Sequence, residues 1–125
     1  MRVLLIDDEQ MVRKIVRKML ERLGHVVVEA ENGRTGLAEL AQKPFDLVVT
    51  DIIMPEVAGL EVLTAVHQLH PNIAVVAMSG SGHAIACKAL DFASKLGATA
   101  TMQKPFTCGA LAQAIDRSCA RGMVA

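Results

Sequence analysis

The sequence contains no tryptophan and no tyrosine, and only three phenylalanines (Phe45, Phe92 and Phe106) in 125 residues. Its core must therefore be aliphatic, and a site that stacks flavin or nucleobase rings on aromatic side chains is hard to assemble. Cysteine is sparse and odd in number. Cys87, Cys108 and Cys119 lie far apart with no C-x-x-C pair, which argues against a disulfide framework or a zinc knuckle and fits a reducing cytoplasm. Neither charge is in excess, since 13 Lys and Arg balance 13 Asp and Glu. A nucleic-acid or membrane surface needs a sustained positive excess, so no direct partner of either kind is expected. The N-terminal stretch has one Arg and a short apolar run before it meets Asp7, Asp8 and Glu9. That is too little for a secretory signal, and no run approaches membrane-spanning length. One domain over residues 1–125 is expected, able to bury roughly two-thirds of the surface its unfolded form exposes.

What is present is a series of strand-length aliphatic runs: VLLI at 3–6, VVV at 26–28, LVVT at 47–50, IAVVAM at 73–78 and a weaker TATM at 99–102. Helical periodicity lies between them. Val12, Ile15, Val16, Met19, Leu20 and Leu23 form one apolar stripe, with Gly24 as its C-cap signal and five basic residues (Arg13, Lys14, Arg17, Lys18 and Arg22) expected to face solvent. Leu37, Leu40 and Ala41 suggest a second helix, and Val62, Leu63, Val66 and Leu69 a third. Ile85, Ala89, Phe92, Ala93 and Leu96 suggest a fourth, and Leu111, Ala114 and Ile115 a fifth. Pro71 and Gly97 mark the ends of the third and fourth. Five strands alternating with five helices predict an α/β fold with a doubly wound parallel sheet, whose continuous apolar strands are covered on both faces.

In that architecture ligands bind beyond the carboxyl ends of the strands. The residues there are Asp7 and Asp8, Asp51, Ser79 and Lys104. Taken singly each has an ordinary explanation, as a helix cap, a turn residue or a surface charge. Taken together they place three carboxylates, a hydroxyl and an ammonium around one crevice. Three like charges so close repel by several kcal/mol unless a cation intervenes. Oxygen ligands with room for water suit Mg²⁺. A carboxylate beside Mg²⁺, with a hydroxyl and an ammonium aimed at the same point, makes a site for a phosphoryl group, with Asp51 as nucleophile.

IDDE at 6–9, DIIMPEVAG at 51–59, MSG at 78–80, GA at 97–98 and KPF at 104–106 occur in that order. With them the chain resembles a response-regulator receiver domain, the phospho-accepting module of two-component systems and phosphorelays, here a single-domain receiver similar to chemotaxis regulators. The resemblance covers nearly the whole chain. It implies a flavodoxin-like (βα)5 fold with strand order 2-1-3-4-5. It also implies a cytoplasmic signalling protein that catalyses only its own phosphorylation and dephosphorylation. Asp51 would accept phosphate from a histidine of a sensor kinase or phosphotransfer protein, and the output partner is not named by the sequence. Asp8, Asp51 and the backbone carbonyl of Ile53 would ligate Mg²⁺, with Asp7 acting through water. Lys104 would contact the phosphoryl group, Ser79 would hydrogen-bond it after activation, and the Lys104–Pro105 peptide would be cis. Pro55 and Gly59 would shape the loop behind Asp51.

Three departures from the family pattern stand out. Thr101 occupies the position where the family usually has the aromatic of its rotamer switch. The span from Ser79 to Gly97 is longer than the pattern, with SGSGH at 79–83 supplying two glycines that would carry the switch instead. Up to Ala125, a few residues beyond the last expected helix, no linker or effector pattern is read. Ile53 would overhang the phosphoryl group and slow its hydrolysis. His67 and His70 stand three apart without a third ligand, His83 is at most a rim residue, and Met54, Met78 and Met102 read as core filler. SGSG lacks the G-x-G-x-x-G spacing of a nucleotide loop. A flavodoxin-like FMN carrier would want a phosphate loop after the first strand, where Asp7 and Asp8 would repel phosphate, and two further rivals compete with the signalling role. One is a pseudo-receiver acting only as an interaction module, against which the intact acidic set, Ser79 and Lys104 weigh. The other is an aspartyl-nucleophile phosphatase, whose D-x-D is absent from both IDDE and DIIM.

Overall fold

The computed structural model describes residues 1–52, 59–80, 98–104 and 106–124. The five apolar runs are strands: β1 (Arg2–Ile6), β2 (Val26–Ala30), β3 (Leu47–Asp51), β4 (Ala74–Ser79) and β5 (Ala100–Gln103). All pair in parallel, in the order β2-β1-β3-β4-β5, so the doubly wound sheet holds with its expected strand order. Four helices lie among the described residues: α1 (Gln10–Arg22), α2 (Gly33–Gln42), α3 (Gly59–Leu69) and α4 (Cys108–Val124). The helix expected around Ile85 to Leu96, its end at Gly97 and the SGSGH stretch beyond Gly80 lie outside the described residues.

Strand periodicity divides the core into two layers. Val3, Leu5, Val49, Val76 and Met78 point to the face covered by α1 and α4, where they meet Val16, Leu20, Leu111, Ala114 and Ile115. Leu4, Ile6, Val48, Val75 and Ala77 point to the other, where Leu40, Val62, Leu63 and Val66 of α2 and α3 cover them. Both faces being dry is why the strands read as unbroken aliphatic runs. Met78 and Met102 are buried, as core filler should be.

Helix α1 ends as its sequence predicts. Gly24 has φ of 91°, and its amide bonds to the Glu21 carbonyl while that of His25 reaches back to Leu20, a Schellman cap that needs a left-handed residue. Helix α2 starts at Asn32, whose side chain accepts the Thr35 amide at 2.8 Å, and approaches β1 so closely that a Cβ at Gly36 would lie 2.4 Å from Ile6 Cδ1.

Two stripe positions differ from expectation. Ile15 is 52% and Leu69 71% exposed. Neither lies over the sheet: Ile15 lines a cleft beside α1, and Leu69 one at the end of α3. The five basic residues of α1 are not uniformly solvated either. Arg13 and Arg17 both pair with Glu29 of β2.

Candidate functional site

Pairing in parallel brings the carboxyl ends of β1, β3, β4 and β5 to one edge, with Ile6 opposite Thr50, Asp51 opposite Met78 and Ser79 opposite Gln103. The residues at or just past those ends are the ones picked out in the sequence, and they meet. Carboxylate oxygens of Asp7, Asp8 and Asp51 all lie within 4.8 Å of one another. Lys104 Nζ donates to Asp7 Oδ2 at 3.0 Å and to Asp51 Oδ2 at 3.1 Å. Asp7, Asp51 and Ser79 are buried, whereas Asp8 is exposed. Asp8 and Asp51 line a cleft of about 430 Å³, with Glu9 and Lys104 among its polar residues and Val12, Ile15, Met19 and Phe106 along its apolar wall.

Asp7 is held at every polar atom. Its amide donates to Ala30 O at 3.2 Å, its Oδ1 accepts from the Glu9 amide at 2.9 Å, its Oδ2 accepts from Lys104 and its carbonyl accepts from Arg13 Nη1 at 2.8 Å. Asp8 does not cap α1: the N-cap is Glu9, which makes no side-chain cap bond. The loop is thus shaped to present Asp8 outward rather than to close the helix.

Burial alone would lower the pKa of the Lys104 ammonium, but the Asp7 hydrogen bond and the Asp51 and Asp7 charges outweigh it and leave the group above the ordinary lysine range. Lys104 is therefore charged at neutral pH. Three carboxylates against one ammonium still leave an excess of negative charge in a partly buried cluster, which favours a cation. The all-oxygen donor set, open to solvent through Asp8, fits Mg²⁺. A second sign of an outside ligand is Ser79 Oγ, buried and without a hydrogen-bond partner among the described residues, since buried hydroxyls are seldom left so. The Lys104 amide donates to Ser79 O at 2.9 Å, fixing these two residues side by side.

Ile53, whose carbonyl was expected in the metal set, Pro55 and Pro105 with its expected cis bond lie outside the described residues. Thr101 is half-buried in β5, paired opposite Ala77. His67 is exposed and His70 half-buried, and neither belongs to a cluster of metal-binding groups among the described residues. Sequence inspection missed Arg13 as a neighbour of the site. The available signal was Glu29, a carboxylate inside the apolar strand VVVEA, which needs a cationic partner when half-buried.

The response regulator receiver domain family matches residues 3–116. Among curated relatives, the chain is 29% identical over 118 residues to the chemotaxis protein CheY of Thermotoga maritima, covering 93% of this chain and 95% of that protein. It is 28% identical over 116 residues to the DNA-binding transcriptional regulator NtrC of Azospirillum brasilense, covering 93% of this chain but only 24% of that protein. The chain thus spans about a quarter of that longer relative. Among solved structures, a response regulator receiver domain protein from Clostridium thermocellum superposes with a TM-score of 0.88 at 29% identity, over 98% of this chain and 97% of that one.

Proposed function

Because the chain belongs to the response regulator receiver domain family, we propose that residues 1–125 form one phospho-accepting receiver. In it Asp51 takes a phosphoryl group from a histidine of a sensor kinase or phosphotransfer protein. The observation that carries this reading is the meeting of Asp51 and Lys104 at 3.1 Å beside a Ser79 hydroxyl that has no partner among the described residues.

In the proposed step an Asp51 carboxylate oxygen attacks the phosphorus of a phosphohistidine. A P–O bond forms as the P–N bond breaks, and the histidine nitrogen departs with the electron pair. Asp51 suits the role of nucleophile because its carboxylate is buried and touches the charged Lys104. Lys104 can follow the new negative charge from the carboxylate onto the phosphoryl oxygens, a shift its flexible stem allows. Ser79 Oγ then gains the acceptor it lacks, and that change at the end of β4 is the conformational signal read by an output partner. Asp7, Asp8 and Asp51, with the Ile53 carbonyl, would hold Mg²⁺, which when bound supplies positive charge against the carboxylates and the transferred group. The setting proposed is a cytoplasmic two-component system or phosphorelay. No described helix is long and apolar enough to cross a membrane.

Acetyl phosphate with Mg²⁺ should label the wild-type chain once, as read by intact mass, and chelation or Asp51→Asn should abolish the label. Equal labelling of Asp51→Asn would remove Asp51 from the role.

A further inference from the structure

We propose that Arg13 is a positioning residue for the cation site: its guanidinium fixes the peptide plane between Asp7 and Asp8 and thereby aims the Asp8 carboxylate. This rests on the receiver function proposed above.

The Asp7 carbonyl and the Asp8 amide belong to one rigid peptide plane, and Arg13 Nη1 holds that carbonyl at 2.8 Å. Ala30 O secures the other side of Asp7 through its amide. With both flanking planes set, the direction in which the chain leaves toward Asp8 is set too. Arg13 can hold because it is itself held: its Nε donates to Glu29 Oε1 at 2.9 Å, Arg17 Nη1 takes the other Glu29 oxygen, and the Arg13 side chain is only 15% exposed.

Charge bears on the choice of residue as well as geometry. A guanidinium this near a divalent cation would repel it, yet Glu29 offsets that charge without loosening the fork. A lysine could supply the charge but not two donors in fixed directions. The arrangement resembles the outer hydrogen-bond partners that orient ligands at metal sites generally.

The test is a calorimetric Mg²⁺ titration of the wild-type chain, Arg13→Gln, Arg13→Lys and Arg17→Gln, with circular dichroism reporting folding. Arg17→Gln also breaks an ion pair to Glu29 but leaves the Asp7 carbonyl contact intact. Arg13→Gln should weaken Mg²⁺ by about tenfold or more, Arg13→Lys by several-fold, and Arg17→Gln by no more than about twofold, the first being the cost typical of losing an outer partner. Acetyl phosphate labelling of the Arg13 variants should recover at saturating Mg²⁺. Should Arg13→Gln not fold, Arg13→Lys decides. Wild-type affinity in the Arg13 variants overturns the proposal, as does an equal loss in Arg17→Gln, which would make the effect one of general charge. A wild-type chain that binds no Mg²⁺ defeats the receiver function as well, so the two failures are distinct.

Discussion

Gly36 decides how near a helix may come to the sheet. An alanine Cβ there would sit 2.4 Å from Cδ1 and 2.9 Å from Cγ1 of Ile6, a fully buried side chain. Two effects compete. Alanine gains about 1 kcal/mol over glycine in a helix interior, whereas overpacking a tight core costs about 1–3 kcal/mol. Since Ile6 ends β1 one residue before Asp7, the steric term should win and be felt at the site. Gly36→Ala should lower the urea midpoint, and an unchanged or raised midpoint would mean that Ile6 yields freely. This glycine was silent in the sequence, because the spacing of α2 shows which side is apolar but not how closely that side approaches a neighbour. Asp7, Asp51 and Ser79 were legible because each follows an apolar run directly, and Asp8 and Lys104 because each stands two residues past one, where strand ends are easy to place.

At the level of elements, α1 and β2 are joined by Arg13, Glu29 and Arg17. The Glu29 carboxyl is held below its ordinary value of 4.5, chiefly by the Arg17 hydrogen bond, with burial opposing and Arg13 assisting. A depressed folded-state pKa contributes stability that is present above the unfolded value and is lost as pH falls through the folded one. The wild-type chain should therefore lose this contribution below pH 4.5. Glu29→Gln should be less stable than wild type at neutral pH, with the gap narrowing in acid, as followed by urea unfolding across pH. A gap that stays constant would show that the pairing is not linked to protonation. The sequence exposed α1 and its Gly24 stop but not this tie, since Arg13, Arg17 and Glu29 are brought together by tertiary packing. For the same reason the stripe was right at Val16 and Leu20 and wrong at Ile15: periodicity assigns a side of the helix, while the cleft beside α1 determines which part of that side stays open.

For the molecule as a whole, the parallel sheet follows from alternation of apolar runs with helical segments, because parallel neighbours need crossovers, whereas the strand order was implied by the family resemblance alone. Binding of a cation to the folded form alone raises stability by mass action, about 2.7 kcal/mol at a hundredfold excess over Kd. Mg²⁺ should therefore raise the thermal midpoint of the wild-type chain and have much less effect on Asp8→Ala. Equal shifts in the two would place the ion elsewhere. One distance carries a consequence in time. Lys104 and Asp7 are 97 positions apart in sequence yet share a 3.0 Å contact. A chain still emerging from the ribosome presents Asp7, Asp8 and Asp51 long before the ammonium that balances them. During that interval the carboxylates stand without their counter-charge, so the acceptor site proposed above is complete only once the last strand and Lys104 have been made.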